Sequence, residues 1–183
     1  MDSYVKLAQD AISKIVKNHK TLELPKDLPK KMLSKKAGVF VSIHKKPTAT
    51  PGVAATVEGE LRGCIGTFLP TKKNIALEII DNAISAATHD YRFTPITSNE
   101  LSNLEISVDE LEEPEPIHGL TSLDTKKYGV IIKTDDGRTG LLLPDLEGVD
   151  TPEQQIAIAR QKADINPNEP IYLYRFMVTR HKE

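Results

Sequence analysis

The chain has 183 residues and a mass of 20.3 kDa, enough to bury roughly 70% of its unfolded surface without disulfides or a metal. Its 24 Lys and Arg against 26 Asp and Glu give a net charge of −2, against the basic excess of a dedicated nucleic-acid binder. No apolar run approaches the ~20 residues that span a bilayer, and the one cysteine, Cys64, excludes an internal disulfide, a Cys-rich zinc site and a four-iron cluster. The expectation is a cytoplasmic globular protein with no signal peptide, no metal, no cofactor and neither membrane nor nucleic acid as partner.

From Ser3 the apolar positions Tyr4, Leu7, Ala8, Ala11, Ile12, Ile15 and Val16 recur at helical spacing, with Asp2 or Ser3 as N-cap. The connector from Leu24 to Ser34 is punctuated by Pro25 and Pro29. Its lysines, with Lys35 and Lys36, read as a solvated face because no aromatic residues interleave for stacking. Val39 to Ile43 reads as a strand, followed by a loop carrying Pro47, Pro51 and Gly52. Leu61 to Phe68 is a second strand, unusual in its glycines, and Asn74 to Thr88 is a helix buried on a broad side.

Thr97 to Glu100 fits a capping box opening a short helical turn, after which Leu104, Ile106 and Val108 alternate with polar residues as in a half-buried strand. Glu112 to Pro116 is too acidic and Pro-rich for a strand interior. Asp136-Gly137 between the apolar runs 129–133 and 140–143 signals a hairpin. Thr151-Pro152-Glu153-Gln154 opens a helix to about Ala163, and Ile171 to Val178 reads as one closing strand. Hairpins without regular helix alternation predict an α+β fold with mainly antiparallel sheets and flanking helices.

The chemistry concentrates in Leu61-Arg62-Gly63-Cys64-Ile65-Gly66. Strand alternation puts Arg62 and Cys64 on one face, where a guanidinium would lower the thiol pKa. Gly63 and Gly66 weaken a strand and so ask for a reason, such as a bulge or the close approach of a ligand or backbone. One reading is a glycine-lined anionic pocket with Cys64 as a nucleophile; the other is a small cysteine buried in a tightly packed strand. Of His19, His44, His89, His118 and His181, none is singled out as its acid–base partner. His44 comes nearest if the first two strands pair, while His19 and His181 read as solvated. Arg92 is a further candidate for binding an anion, or forms an ion pair with Asp90 that ties a helix end to its loop.

The hexapeptide LRGCIG at Leu61–Gly66 resembles the hallmark of the AMMECR family, protein A of the AmmeMemoRadiSam system in prokaryotes. Gly38-Val39-Phe40-Val41, Ala83 to Ala87, Asp90 with Arg92-Phe93 and Pro95, Tyr128 to Ile131, Gly140 to Pro144 and Leu173 to Phe176 follow the same pattern in order. Asp145 departs from it, standing where family members tend to carry Gln. The resemblance implies a single two-lobed domain over 1–183, its larger lobe built from both chain ends (about 1–45, 60–110 and 165–183) and its smaller from about 112–150. It implies a neighbourhood with a Memo-like protein and a radical S-adenosylmethionine enzyme, but no established reaction. Three functions stay open. The chain binds a small anionic ligand or a partner's peptide at the LRGCIG cleft through Arg62, Gly63, Gly66 and Arg92, in a modification or biosynthetic pathway. Alternatively Cys64 is catalytic, or the hexapeptide strand is a packing device in a scaffold.

Overall fold

Asp2 accepts hydrogen bonds from the Tyr4 and Val5 backbone N–H groups and so caps the first helix, α1 (Ser3–Asn18). The structure, a computed structural model, describes residues 1–47 and 59–182; the predicted loop with Pro51 and Gly52 lies outside them. The lysine-rich connector contains a short helix, α2 (Lys30–Ser34), which buries Met32 completely. Five residues are too few for a periodic signal, so the element is invisible to pattern. Strands β1 (Val39–Lys45) and β2 (Leu61–Thr67) pair antiparallel, and α3 (Ile75–Thr88) follows with Asn74 as N-cap.

The Thr97–Glu100 signal leads into a single 3-10 turn, Leu101–Asn103, and then β3 (Leu104–Leu111). Glu115–Ile117 forms a three-residue strand, β4, where the sequence argued for an exit from a strand. It stands at a sheet edge, the one place in a sheet where Pro116 costs no ladder hydrogen bond. Strands β5 (Gly129–Lys133) and β6 (Thr139–Leu142) make the expected hairpin, with Gly137 at φ 89° in the tip. Helix α4 (Pro152–Lys162) opens with the complete Thr151–Gln154 capping box. The single closing strand is two: β7 (Tyr172–Phe176) and β8 (Val178–His181). Met177 separates them, and its carbonyl accepts from Glu112 N–H at 2.9 Å.

The architecture is α+β, with two four-stranded sheets in the orders β2-β1-β3-β8 and β4-β7-β5-β6. The chain divides into two compact units, Met1–Glu110 with Arg180–Glu183, and Leu111–Thr179. The first therefore holds both chain ends. Residues 165–179 lie in the second, where β7 pairs with β4 and β5. In the first unit α3 packs on β1 and β2 and α1 packs on α3, burying Leu7, Ile12, Val41, Ile43, Ile79 and Val108. The second unit closes around Val130, Ile132, Leu142, Ile156 and Ala159.

The chain ends are tied by a polar cluster that periodicity does not reveal. His181, expected to be solvated, hydrogen-bonds Asp2 through Nδ1 at 2.9 Å and stacks on the Tyr4 ring at 3.8 Å. The Tyr4 hydroxyl donates to the buried Glu110 carboxylate, which also takes Lys31 at 2.9 Å and Lys35 at 2.6 Å. Two lysines of the basic connector are thus already neutralised.

Candidate functional site

Strand β2 is an edge strand, so every second residue turns a backbone N–H and C=O away from its only neighbour, β1. At Cys64 those two groups are met by side chains. Its N–H donates to Asp90 Oδ2 at 2.9 Å and its carbonyl accepts from Arg92 Nη2 at 3.1 Å. Asp90 and Arg92 are themselves joined by Nε–Oδ1 and Nη2–Oδ2 bonds of 2.9 and 2.7 Å. An ion pair therefore supplies the acceptor and donor that a further strand would offer. The Arg92 hydrogen bonds, joined by the Cys64 and Arg92 N–H groups, outweigh burial and hold the Asp90 carboxyl at about 2.

The thiol points to the side of the sheet opposite α3. Its neighbour Gly63 faces α3 so closely that a Cβ there would lie 2.3 Å from the Ala86 carbonyl oxygen. A Cβ on Gly66 would lie 2.3 Å from the Phe40 ring. Both glycines are thus explained by close approach of the protein's own atoms. Ser42 stands directly opposite Cys64 and donates its hydroxyl to Sγ at 3.2 Å. His44, the nearest imidazole expected, pairs instead with Leu61 and Glu105. His19, His89 and His118 are exposed, and the His89 Nδ1 is occupied by the Thr88 hydroxyl. Burial pushes the half-buried thiol's pKa above its ordinary value; Asp109 and Asp90 add to this, while the Ser42 hydrogen bond and the Arg92 charge oppose it.

Arg62 does not act on the thiol. The β1–β2 register shifts beside Ile43 and His44, leaving Arg62 as the extra residue of a bulge, so simple alternation fails there. Its side chain is buried, with Nε on Glu100 Oε1 at 2.7 Å and Nη2 on Oε2 at 3.2 Å. Nη1 donates to the Thr94 carbonyl at 2.8 Å and Nη2 also to that of Pro95 at 3.4 Å. Glu100 accepts in addition from Thr97 N–H and hydroxyl, and its hydrogen bonds from Arg62 above all hold its carboxyl at about 2.

Residues 90–100 are thereby fastened to the edge of β2 at several points, and Ile96 N–H on the Ala87 carbonyl ties them to α3 as well. At the tip of this fastened turn Tyr91 is 94% exposed, with the side chain of Arg92, 43% exposed, beside it. Exposed Tyr and Arg on a rigid support are the residue types that dominate protein–protein hot spots. The sequence marked Arg92 and the Asp90 ion pair; it carried no signal for Tyr91 or for Glu100 as the partner of Arg62. Nor did it mark Glu78, a buried carboxylate that accepts from the Thr67 and Thr71 hydroxyls and from Thr71 and Lys72 N–H, and so fixes the exit of β2. Among the described residues no group of His, Cys, Asp and Glu could hold a metal, and no helix is long and apolar enough to cross a membrane.

Comparison with known proteins adds a lineage to this geometry. The model of the family described as AMMECR1 matches residues 5–181. A protein of Thermotoga maritima is 47% identical over 180 residues, covering 98% of this chain and 97% of its own. A Clostridium acetobutylicum protein is 45% identical over all 183 residues, which are 36% of its length. The crystal structure of an uncharacterized protein from Pyrococcus horikoshii superposes with a TM-score of 0.82 at 31% identity, over 97% of this chain and 88% of that one.

Proposed function

The chain belongs to the AMMECR1 family, and on that premise we propose that it is a binding component, presenting the turn beside Cys64 to a partner protein. What carries this reading is the pairing of a fastened backbone with an unused tip. Buried charges at Arg62 and Asp90 hold residues 90–100 in one conformation, while Tyr91, 94% exposed, packs on almost nothing of its own chain. A small anion is the weaker occupant, because Arg62 and Arg92 already face carboxylates. The partners are those the family resemblance brings with it, a Memo-like protein and a radical S-adenosylmethionine enzyme, in a modification or biosynthetic step.

The test is association of the purified chain with each of those two proteins from the same genome, by calorimetry. Tyr91→Ala, at a site too exposed to affect folding, is expected to weaken the interaction about tenfold or more. Absence of binding by the unchanged chain, or equal binding by the variant, would sink the proposal.

The cysteine-nucleophile alternative is tested by alkylation of Cys64 with iodoacetamide against pH. With burial raising the thiol pKa, the reaction is expected to be slow at pH 7 and to accelerate only above the ordinary thiol range near ~8.5. A midpoint near 6 or 7 would favour the nucleophile over the binding reading.

A further inference from the structure

In the second unit, α4 and the turn after it line a cavity of about 460 Å³, a volume typical of small-molecule sites. Its walls are apolar: Leu120, Ile156, Ala157, Ile165 and Pro167. Two charges, Arg160 and Glu153, stand on its border. The chain has six arginines. Five face a carboxylate: Arg62 on Glu100, Arg92 on Asp90, Arg138 on Asp136 and Glu169, Arg175 on Glu115, and Arg180 on Asp109. Arg160 alone among the described arginines has only backbone carbonyls, those of Asn166 at 2.5 Å and Glu169 at 3.0 Å.

Those two bonds fix the guanidinium against the cavity wall while leaving three of its five N–H groups and its whole charge unanswered. The wall itself is held firmly, since the Glu169 carboxylate takes Asn166 N–H and Nδ2 as well as Arg138. The opposing charge on the border, Glu153, lies two helical turns away, about 10 Å along the axis, and is exposed to screening solvent. An apolar chamber with a positioned, unneutralised cation selects one chemistry. We infer that the cavity binds a small apolar monocarboxylate, with hydrocarbon against Ile156 and Ile165 and its carboxylate on Arg160. This site is separate from the Tyr91 turn and stands or falls without it.

The test titrates octanoate, octan-1-ol and octylamine into the full chain, followed by NMR of the Ile156 and Ile165 methyl groups. Octanoate is expected to shift both and to bind about tenfold or more tighter than the alcohol, with the amine weakest. Gln161→Glu, at an exposed position on the border, is expected to weaken octanoate about threefold or more and leave octan-1-ol unchanged. Ala157→Trp, also at an exposed position, is expected to fill the chamber and remove binding of all three. Unshifted methyls, an alcohol or amine as tight as the acid, or full binding in Ala157→Trp would each overturn the assignment.

Discussion

Gly63→Ala is expected to destabilise the protein by about 3 kcal/mol or more, and to lower its melting temperature by roughly 6–12 °C. The added methyl would lie 2.3 Å from the Ala86 carbonyl oxygen, which belongs to the backbone of α3 and has no rotamer through which to withdraw. Strand and helix would have to separate, and the first unit's core lies directly beneath, with Ile43 and Ile79 wholly buried. Gly119→Ala is the control: its φ of −177° suits any residue and nothing lies within 4 Å of the new carbon, so stability should stay constant or rise slightly. Calorimetric melting of both variants decides the matter. If Gly63→Ala melts within about 2 °C of the parent and loses only partner binding, the glycine is kept for a ligand and not for the helix.

The same strand shows what the amino-acid order disclosed and what it hid. Helices α1 and α3 were legible because their apolar residues repeat at helical spacing, and α4 because Thr151-Pro152-Glu153-Gln154 announces its start. The β5–β6 hairpin was legible because Asp-Gly suits its tip. The alternation of Ile171 to Val178 ran across Met177 unbroken, since a period of two says which residues share a face but nothing about which sheet they join. At β2 the same rule misled: Arg62 is the extra residue of a bulge and its side chain is taken up by Glu100, Thr94 and Pro95, and a bulge leaves no mark in composition. The importance of LRGCIG was legible, but its chemistry depended on groups 26 to 38 residues away, Asp90, Arg92 and Glu100, whose convergence only the tertiary fold determines.

Arg62→Ala is the second change expected to be severe, at about 3 kcal/mol, because it strands the partners of a buried guanidinium. Glu100 would lose both its Arg62 bonds, and the Thr94 and Pro95 carbonyls would lose their donors, freeing the turn that carries Tyr91. Arg62→Lys should recover part of the stability only, since one ammonium cannot span a carboxylate and two carbonyls as the planar fork does. Acid provides an independent reading of the same contacts. Glu100 is held at about 2 against an ordinary 4.5, and Asp90 at about 2 against 3.8. A carboxyl depressed in the folded state binds protons more readily when unfolded, so its contribution is whole above about pH 4.5 and disappears as the pH falls towards 2. Urea midpoints measured from pH 6 to pH 2 should therefore decline steeply in the parent protein below about 4.5. In Arg62→Ala they should start lower and decline less, with the remaining slope coming from Asp90 and the other paired carboxylates. Parent-like midpoints for Arg62→Ala, accompanied by lost association with a partner, would mean that the guanidinium serves a ligand; a turn loosened at Thr94 and Pro95 with reduced midpoints would mean that it serves the fold, and through the fold the tyrosine it holds in place.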